Sequence, residues 1–132
     1  MNVENNKIIA EFMGYKIQKD PTERFFGRYS HPITKVWIKE NEISFDTDWN
    51  WLMTVLEKIK NIPNKEVYGM LKYEFDVILD VPNAQIVQSY KLYFGDKTDK
   101  YFDVIKYEGT FIENTFNACV EFIKFYNLNY VS

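Results

Sequence analysis

Apolar and polar residues alternate most strictly over residues 67–81. The odd positions read Val, Gly, Leu, Tyr, Phe, Val, Leu, Val, while the even positions include Lys72, Glu74, Asp76 and Asp80. A period of two over this length predicts a β-strand with one buried face. Pro82 and Asn83 suit the middle of a tight turn. Residues 85–94 are therefore expected to return as an antiparallel partner, with Ile86, Tyr90, Leu92 and Phe94 on the apolar face. Residues 95–100 read as a second turn and 101–107 as a third strand. A meander is the economical topology.

Elsewhere the apolar period is helical. Ile8, Ile9, Phe12 and Met13 predict a short helix over 3–13, with Gly14 where a C-terminal cap belongs. A short strand over 15–17 follows. Residues 18–45 are the least regular part, broken by Pro21, Gly27 and Pro32. Within them, 36–38 and 43–45 read as short strands joined through 39–42. A clearer helix covers 48–61, capped by Asp46, Thr47 or Asp48 and ended by Pro63. Trp51, Leu52, Val55, Leu56 and Ile59 share one arc of it, flanked by Trp49 and Met53.

The chain closes with a long helix after Gly109. Thr110 and Glu113 form a capping-box signature, Thr-x-x-Glu. Ile112, Phe116, Cys119, Ile123 and Tyr126 make its main apolar stripe, and Phe111, Ala118, Phe122 and Phe125 a second one beside it. So wide an apolar face calls for two neighbours, the second being another helix or another molecule. The expected architecture is one α+β domain over residues 1–132, an antiparallel β-meander packed with three helices in a sandwich-like arrangement.

Composition narrows the function classes. Eleven Phe, ten Tyr and three Trp in 132 residues leave many large groups to bury in a core or an interface. No apolar run approaches the ~20 residues that span a bilayer, and residues 1–7 are too polar for a signal peptide. A single cysteine rules out an internal disulfide, and no Asn-x-Ser/Thr acceptor occurs. A cytoplasmic protein is expected. A net charge of −3 with interspersed signs argues against generic phosphate-backbone binding, although a local basic patch is compatible with it.

The residues that could carry chemistry are few. His31 is the only histidine, so a Ser-His-Asp or Cys-His arrangement must use it. Cys119 falls on an apolar helix stripe, where a thiol is normally buried and un-ionised. Zinc sites draw on several Cys and His, and the chain offers one of each. Asp46-Thr47-Asp48 has spacing that can hold a divalent cation, yet the same residues sit where a helix cap belongs. Residues 96–99 resemble a calcium loop but lack the ligand alternation and closing Glu of an EF-hand, and read better as a solvated hairpin turn. Asp76 and Asp80, on one strand face, are about 13 Å apart by strand rise, beyond glycosidase spacing. Glu74 and Asp76 are closer, but Lys72 beside them suggests surface charge. The five glycines are isolated, so no phosphate loop exists.

One segment is distinctive. Both arginines, Arg24 and Arg28, fall in Arg24-Phe25-Phe26-Gly27-Arg28-Tyr29. Guanidinium groups fork to carboxylate or phosphate and stack on rings, so this composition recurs at binding surfaces. The plainer reading is a loop whose phenylalanines anchor it to the core.

Two stretches resemble a known family. Ala10-Glu11-Phe12-Met13-Gly14, with Trp49-Asn50-Trp51-Leu52-Met53 followed by Val55 and Glu57-Lys58-Ile59, form the first part; Val120-Glu121-Phe122-Ile123-Lys124-Phe125-Tyr126-Asn127 forms the second. Together they resemble the phage ABA sandwich domain of small proteins from gut Bacteroidetes and their prophages. The chain departs from that pattern in Asp48 for Ser, Asn50 for Asp, Thr54 for Pro and Phe125 for Trp. The resemblance implies an α/β/α sandwich and supplies no activity or catalytic residue.

These readings lead to a non-enzymatic binding or accessory module, phage- or prophage-associated, without cofactor or metal. Its partner is expected to be a protein or a second copy of the chain, contacted through Arg24, Arg28, Phe111, Phe122 or Phe125. The alternative is an enzyme or small-molecule-binding protein that pairs carboxylates of the wet sheet face with Arg24 or Arg28. Nucleic-acid binding is a weaker third reading.

Overall fold

A glycine with a positive φ stops the first helix. In the computed structural model, which describes residues 3–62, 65–67, 71–80, 83–92, 97–101 and 109–130, helix α1 spans Val3–Phe12. Gly14 takes φ +91°, a conformation costly to any residue with a Cβ. Its N–H bonds to the Glu11 carbonyl at 3.1 Å and the Tyr15 N–H to that of Ala10 at 2.9 Å. This pair is a Schellman motif, which satisfies carbonyls that the helix end leaves open.

The chain then forms a small sheet of two-residue strands, β1 (Lys16–Ile17), β2 (Tyr29–Ser30) and β3 (Trp37–Ile38), in that order and antiparallel throughout. Strand β3 matches the expectation over 36–38, but its partner is β2, upstream. Residues 43–45 form no strand. A 3-10 turn, Glu40–Glu42, precedes them, and the Ser44 carbonyl accepts from the Thr47 and Asp48 N–H groups as the chain turns into the next helix. The apolar alternation at Ile43 and Phe45 is nevertheless real, because both side chains are buried in the core.

Helix α2 spans Trp49–Lys60, with Asp48 at the N-cap accepting from the Asn50 N–H at 2.8 Å. Leu52, Val55, Leu56 and Ile59 of its expected arc are buried, and Trp51 is half-buried. Lys58 reaches back to donate to the Phe12 carbonyl and stands 4.7 Å from the Phe12 ring centroid. Partial burial there lowers its pKa. Asn61 is the C-cap; Pro63, the expected terminator, lies outside the described residues.

The second sheet is a four-stranded antiparallel meander, β4 (Lys65–Val67), β5 (Leu71–Asp80), β6 (Asn83–Leu92) and β7 (Lys97–Tyr101). The meander is as expected; three boundaries are not. The alternation over 67–81 is two strands, since Val67 pairs with Leu71. Gly69, within that alternation, lies outside the described residues. Asp80 pairs with Asn83, so Asn83 opens β6 and is not the middle of a turn, while Pro82 lies outside the described residues. Strand β7 begins at Lys97, and Asp99 pairs with Ser89. Residues 97–100 thus belong to a strand, which corrects the hairpin turn expected there, while 95–96 lie outside the described residues. Of the expected strand over 101–107, Tyr101 ends β7 and the remainder lies outside the described residues.

Helix α3 spans Phe111–Tyr130. One half of its capping box is formed, the Glu113 N–H donating to Thr110 Oγ1 at 3.3 Å, while the Glu113 carboxylate accepts from the Thr110 hydroxyl at 2.9 Å in place of the backbone N–H. A second device lies outside the Thr-x-x-Glu signature. The Asn114 amide is fully buried and clamps Gly109, accepting from its N–H and donating to its carbonyl, both at 3.1 Å. Helix α3 lies along β6 and against α1 and α2, while α2 lies along β5. The chain is therefore α+β, an antiparallel meander packed with three helices. Among the described residues no helix is long and apolar enough to cross a membrane.

The N-cap gives a direct check. Asp48→Ala is expected to lower unfolding free energy by about 1 kcal/mol, whereas Asp48→Ser, which keeps an acceptor, stays close to the parent in urea titrations.

Candidate functional site

Backbone hydrogen bonds close the segment that carries both arginines into a loop. The Gln18 N–H donates to the Arg28 carbonyl and the Gly27 N–H to the Gln18 carbonyl, each at 2.9 Å. Gly27 takes φ +82°, which the reversal requires. Inside the loop, Asp20 accepts from the Thr22 N–H at 2.9 Å and from its hydroxyl at 2.7 Å. These bonds hold its carboxyl below the ordinary range.

The closed loop brings the two guanidinium groups to one ring. Their carbons stand 5.4 Å (Arg24) and 5.5 Å (Arg28) from the Phe25 centroid. Phe25 in turn stacks on Trp37 of β3, with centroids 5.4 Å apart and planes 18° from parallel. Cation–π contacts of this kind hold a flexible side chain in place while its N–H edge stays open to a ligand. Among the described residues neither arginine forms an ion pair. Phe26 and Val36 beside this group are more than half exposed. The plainer reading of the phenylalanines as core anchors is not what forms: Phe25 is half-buried on Trp37 and Phe26 is exposed.

Charge partition strengthens this site. Residues 16–39 hold six basic and two acidic residues, net +4, so the rest of a chain of net −3 carries −7. The signal lies in the sequence but appears only when charge is counted segment by segment, and Trp37 enters only through the β2–β3 pairing.

The three phenylalanines of the last helix divide differently. Phe122 is fully buried within the chain, so its stripe is covered internally and it offers no surface to a partner. Phe111 and Phe125 are half-buried, Phe111 against Trp49 with centroids 4.8 Å apart. The second neighbour anticipated for α3 is supplied by the chain's own helices.

The catalytic alternatives find little support among the described residues. His31 Nδ1 accepts from the Ile33 and Thr34 N–H groups, both at 3.1 Å, and so caps a loop. Cys119 is wholly buried, and burial pushes its thiol up to about 12. Asp48 is the N-cap, and Asp46 accepts from the buried Asn6 amide at 3.0 Å. Among the described residues no group of three or more His, Cys, Asp or Glu is placed to hold a metal ion. The carboxylates of Glu74, Asp76 and Asp80 lie outside the described residues.

Comparison of the chain with protein-family models, curated proteins and solved structures finds no match.

The buried thiol makes a prediction whose sign is fixed. A folded pKa above the unfolded value stabilises fully below the unfolded pKa, and that contribution is lost as pH rises to the folded one. Between pH 9.0 and about 12 the parent is expected to lose up to about 1.4 kcal/mol per pH unit more than Cys119→Ala, read from urea titrations. The native thiol should resist a thiol reagent at pH 8 and react once the chain unfolds.

Proposed function

We propose that this chain is a non-enzymatic accessory module that binds a protein partner, and that Arg24 and Arg28 on Phe25 and Trp37 form the contact surface. The observation that carries this reading is the pair of guanidinium groups, free of ion pairs among the described residues and held over one aromatic ring, in a segment of net +4. A partner segment that mixes carboxylates with apolar side chains fits best. The carboxylates take the guanidinium forks, and the apolar groups cover Phe26 and Val36.

A nucleic acid fits less well. The remaining −7 of the chain repels a polyanion. A phage or prophage setting and an α/β/α stacking of the layers belong to the same proposal, supported by the resemblance of the three helices. So does a cytoplasmic location: the single cysteine, buried and held as a thiol, suits a reducing compartment.

Fluorescence anisotropy tests this reading with a labelled peptide of alternating Glu and Leu/Phe, a Lys-for-Glu counterpart and a single-stranded oligonucleotide. Binding of the acidic peptide is expected to weaken about tenfold or more in Arg24→Ala/Arg28→Ala, since charge-assisted hydrogen bonds are worth about 1.5–3 kcal/mol, and to weaken with salt. Equal binding of parent and double variant, or tighter binding of the oligonucleotide, refutes it.

A further inference from the structure

A cavity of about 580 Å³ opens where the end of α1, the start of α2 and the loop between β2 and β3 meet. This is well within the size of small-molecule sites. Its wall is aromatic and braced by the core. The Tyr15 ring, nearly buried, meets His31 edge-on at 5.2 Å and stacks on Trp51 at 6.2 Å, 19° from parallel. Fully buried Phe45 holds both Tyr15 and Trp51 edge-on, at 5.9 and 5.1 Å. Such a wall needs little rearrangement to receive a flat ligand.

The polar groups around it are few. His31 spends Nδ1 on two backbone N–H groups, so the hydrogen of its neutral ring lies on Nε2, a donor. Asn50 lines the cavity, and its exposed side-chain amide makes no hydrogen bond among the described residues. A primary amide presents a donor beside an acceptor, the arrangement that pairs with a base edge. Among the described residues no Lys, Arg, Asp or Glu lines this cavity. Two other cavities of the chain differ, one lined by Glu11 and Lys58 and one by Glu4, Asp46 and Glu113.

We propose that this cavity binds a small, uncharged, planar heteroaromatic molecule of nucleobase type. Its face lies against Trp51, which Tyr15 backs from the core, its edge pairs with the Asn50 amide, and a ring acceptor takes the His31 Nε2–H. Free bases suit it better than nucleotides, because no cation among the described residues lines the cavity to meet a phosphate. The cavity shares none of Arg24, Phe25, Arg28 or Trp37, so it stands independently of the protein-binding surface.

The test is an NMR titration of the full chain with adenine, cytosine and nicotinamide, with adenosine monophosphate and toluene as controls. At least one of the three bases is expected to shift the Trp51 indole N–H, assigned through Trp51→Phe, with a Kd of roughly 1 mM or below. Asn50→Ala and His31→Asn should each weaken binding by about fivefold to tenfold, the worth of one hydrogen bond. The asparagine introduced by His31→Asn keeps an acceptor for the loop N–H groups while removing the Nε2 donor, so the loop is retained. Arg24→Ala/Arg28→Ala should leave the affinity unchanged. The proposal is overturned if no base moves the Trp51 signal, if toluene or the nucleotide binds as tightly, or if both variants bind like the parent.

Discussion

The two-sided burial of α3 is the constraint on which the rest of the structure depends. Phe116, Cys119 and Ile123 on one stripe, with Ala118 and Phe122 on the other, are all removed from water. Each large side chain so buried contributes about 1.5–3 kcal/mol. One helix meets that demand only if neighbours cover both stripes, and α1, α2 and β6 do so. Each of those elements then owes its own apolar arc to α3: Ile9 and Ala10 from α1, and Leu52, Val55, Leu56 and Ile59 from α2. An isolated helix the length of α1 would be marginal in water; its stability comes from this shared core.

Polar groups fix the geometry that apolar burial leaves free. The Asn6 amide, inside α1, donates to Asp46 and so ties α1 to the turn that starts α2. Asn114 fastens the start of α3 to Gly109. Lys7 donates to Glu40 at 2.7 Å, which raises its pKa and joins α1 to the 3-10 turn. Lys58 closes the end of α1 from α2. Apolar surfaces slide past one another at small cost, whereas an unmade buried hydrogen bond costs about 1–3 kcal/mol. The buried Asn6 amide therefore sets register between α1 and the start of α2, where packing alone would permit several.

Legibility in the sequence follows range. The helices, their caps and the meander can be read because their signals lie within a few residues: a 3.6 period, a Thr-x-x-Glu box, a period of two. The small sheet can be read only in part, since the strands expected over 15–17 and 36–38 form as β1 and β3 while β2 and the pairings leave no local signal. Ser30 and Trp37 pair across a seven-residue separation with Pro32 between them, and the two residues of β2 hold no period to detect. Ile43 and Phe45 show the converse failure, since alternation reports burial and carries no information on whether a strand partner exists. At the site, Arg24 and Arg28 are visible as composition, whereas their meeting on Phe25 depends on a loop closed by backbone bonds between Gln18, Gly27 and Arg28. Phe122 departs from expectation for a similar reason: a wheel shows that a stripe is apolar but not what covers it.

The small sheet borders both proposed surfaces, and its construction bears on each. Three strands of two residues are too short to be stable alone, so the sheet hangs on the core through Tyr15, Tyr29 and Phe45, all buried. Its 31–36 loop is held by the His31 N–H to the Val36 carbonyl, the Lys35 N–H to the His31 carbonyl, the two N–H groups on His31 Nδ1, and Lys35 Nζ on the Pro32 carbonyl. These bonds hold Lys35 at φ 61°, a conformation that costs a residue with a Cβ about 1–2 kcal/mol. The β3 side of this hairpin carries Trp37 beneath the arginine surface, and His31, next to its β2 partner Ser30, stands at the edge of the aromatic cavity. A side chain freed from the core is useful for recognition only if something else fixes it. In this chain the buried tyrosines and a heavily bonded loop do so beside both candidate surfaces.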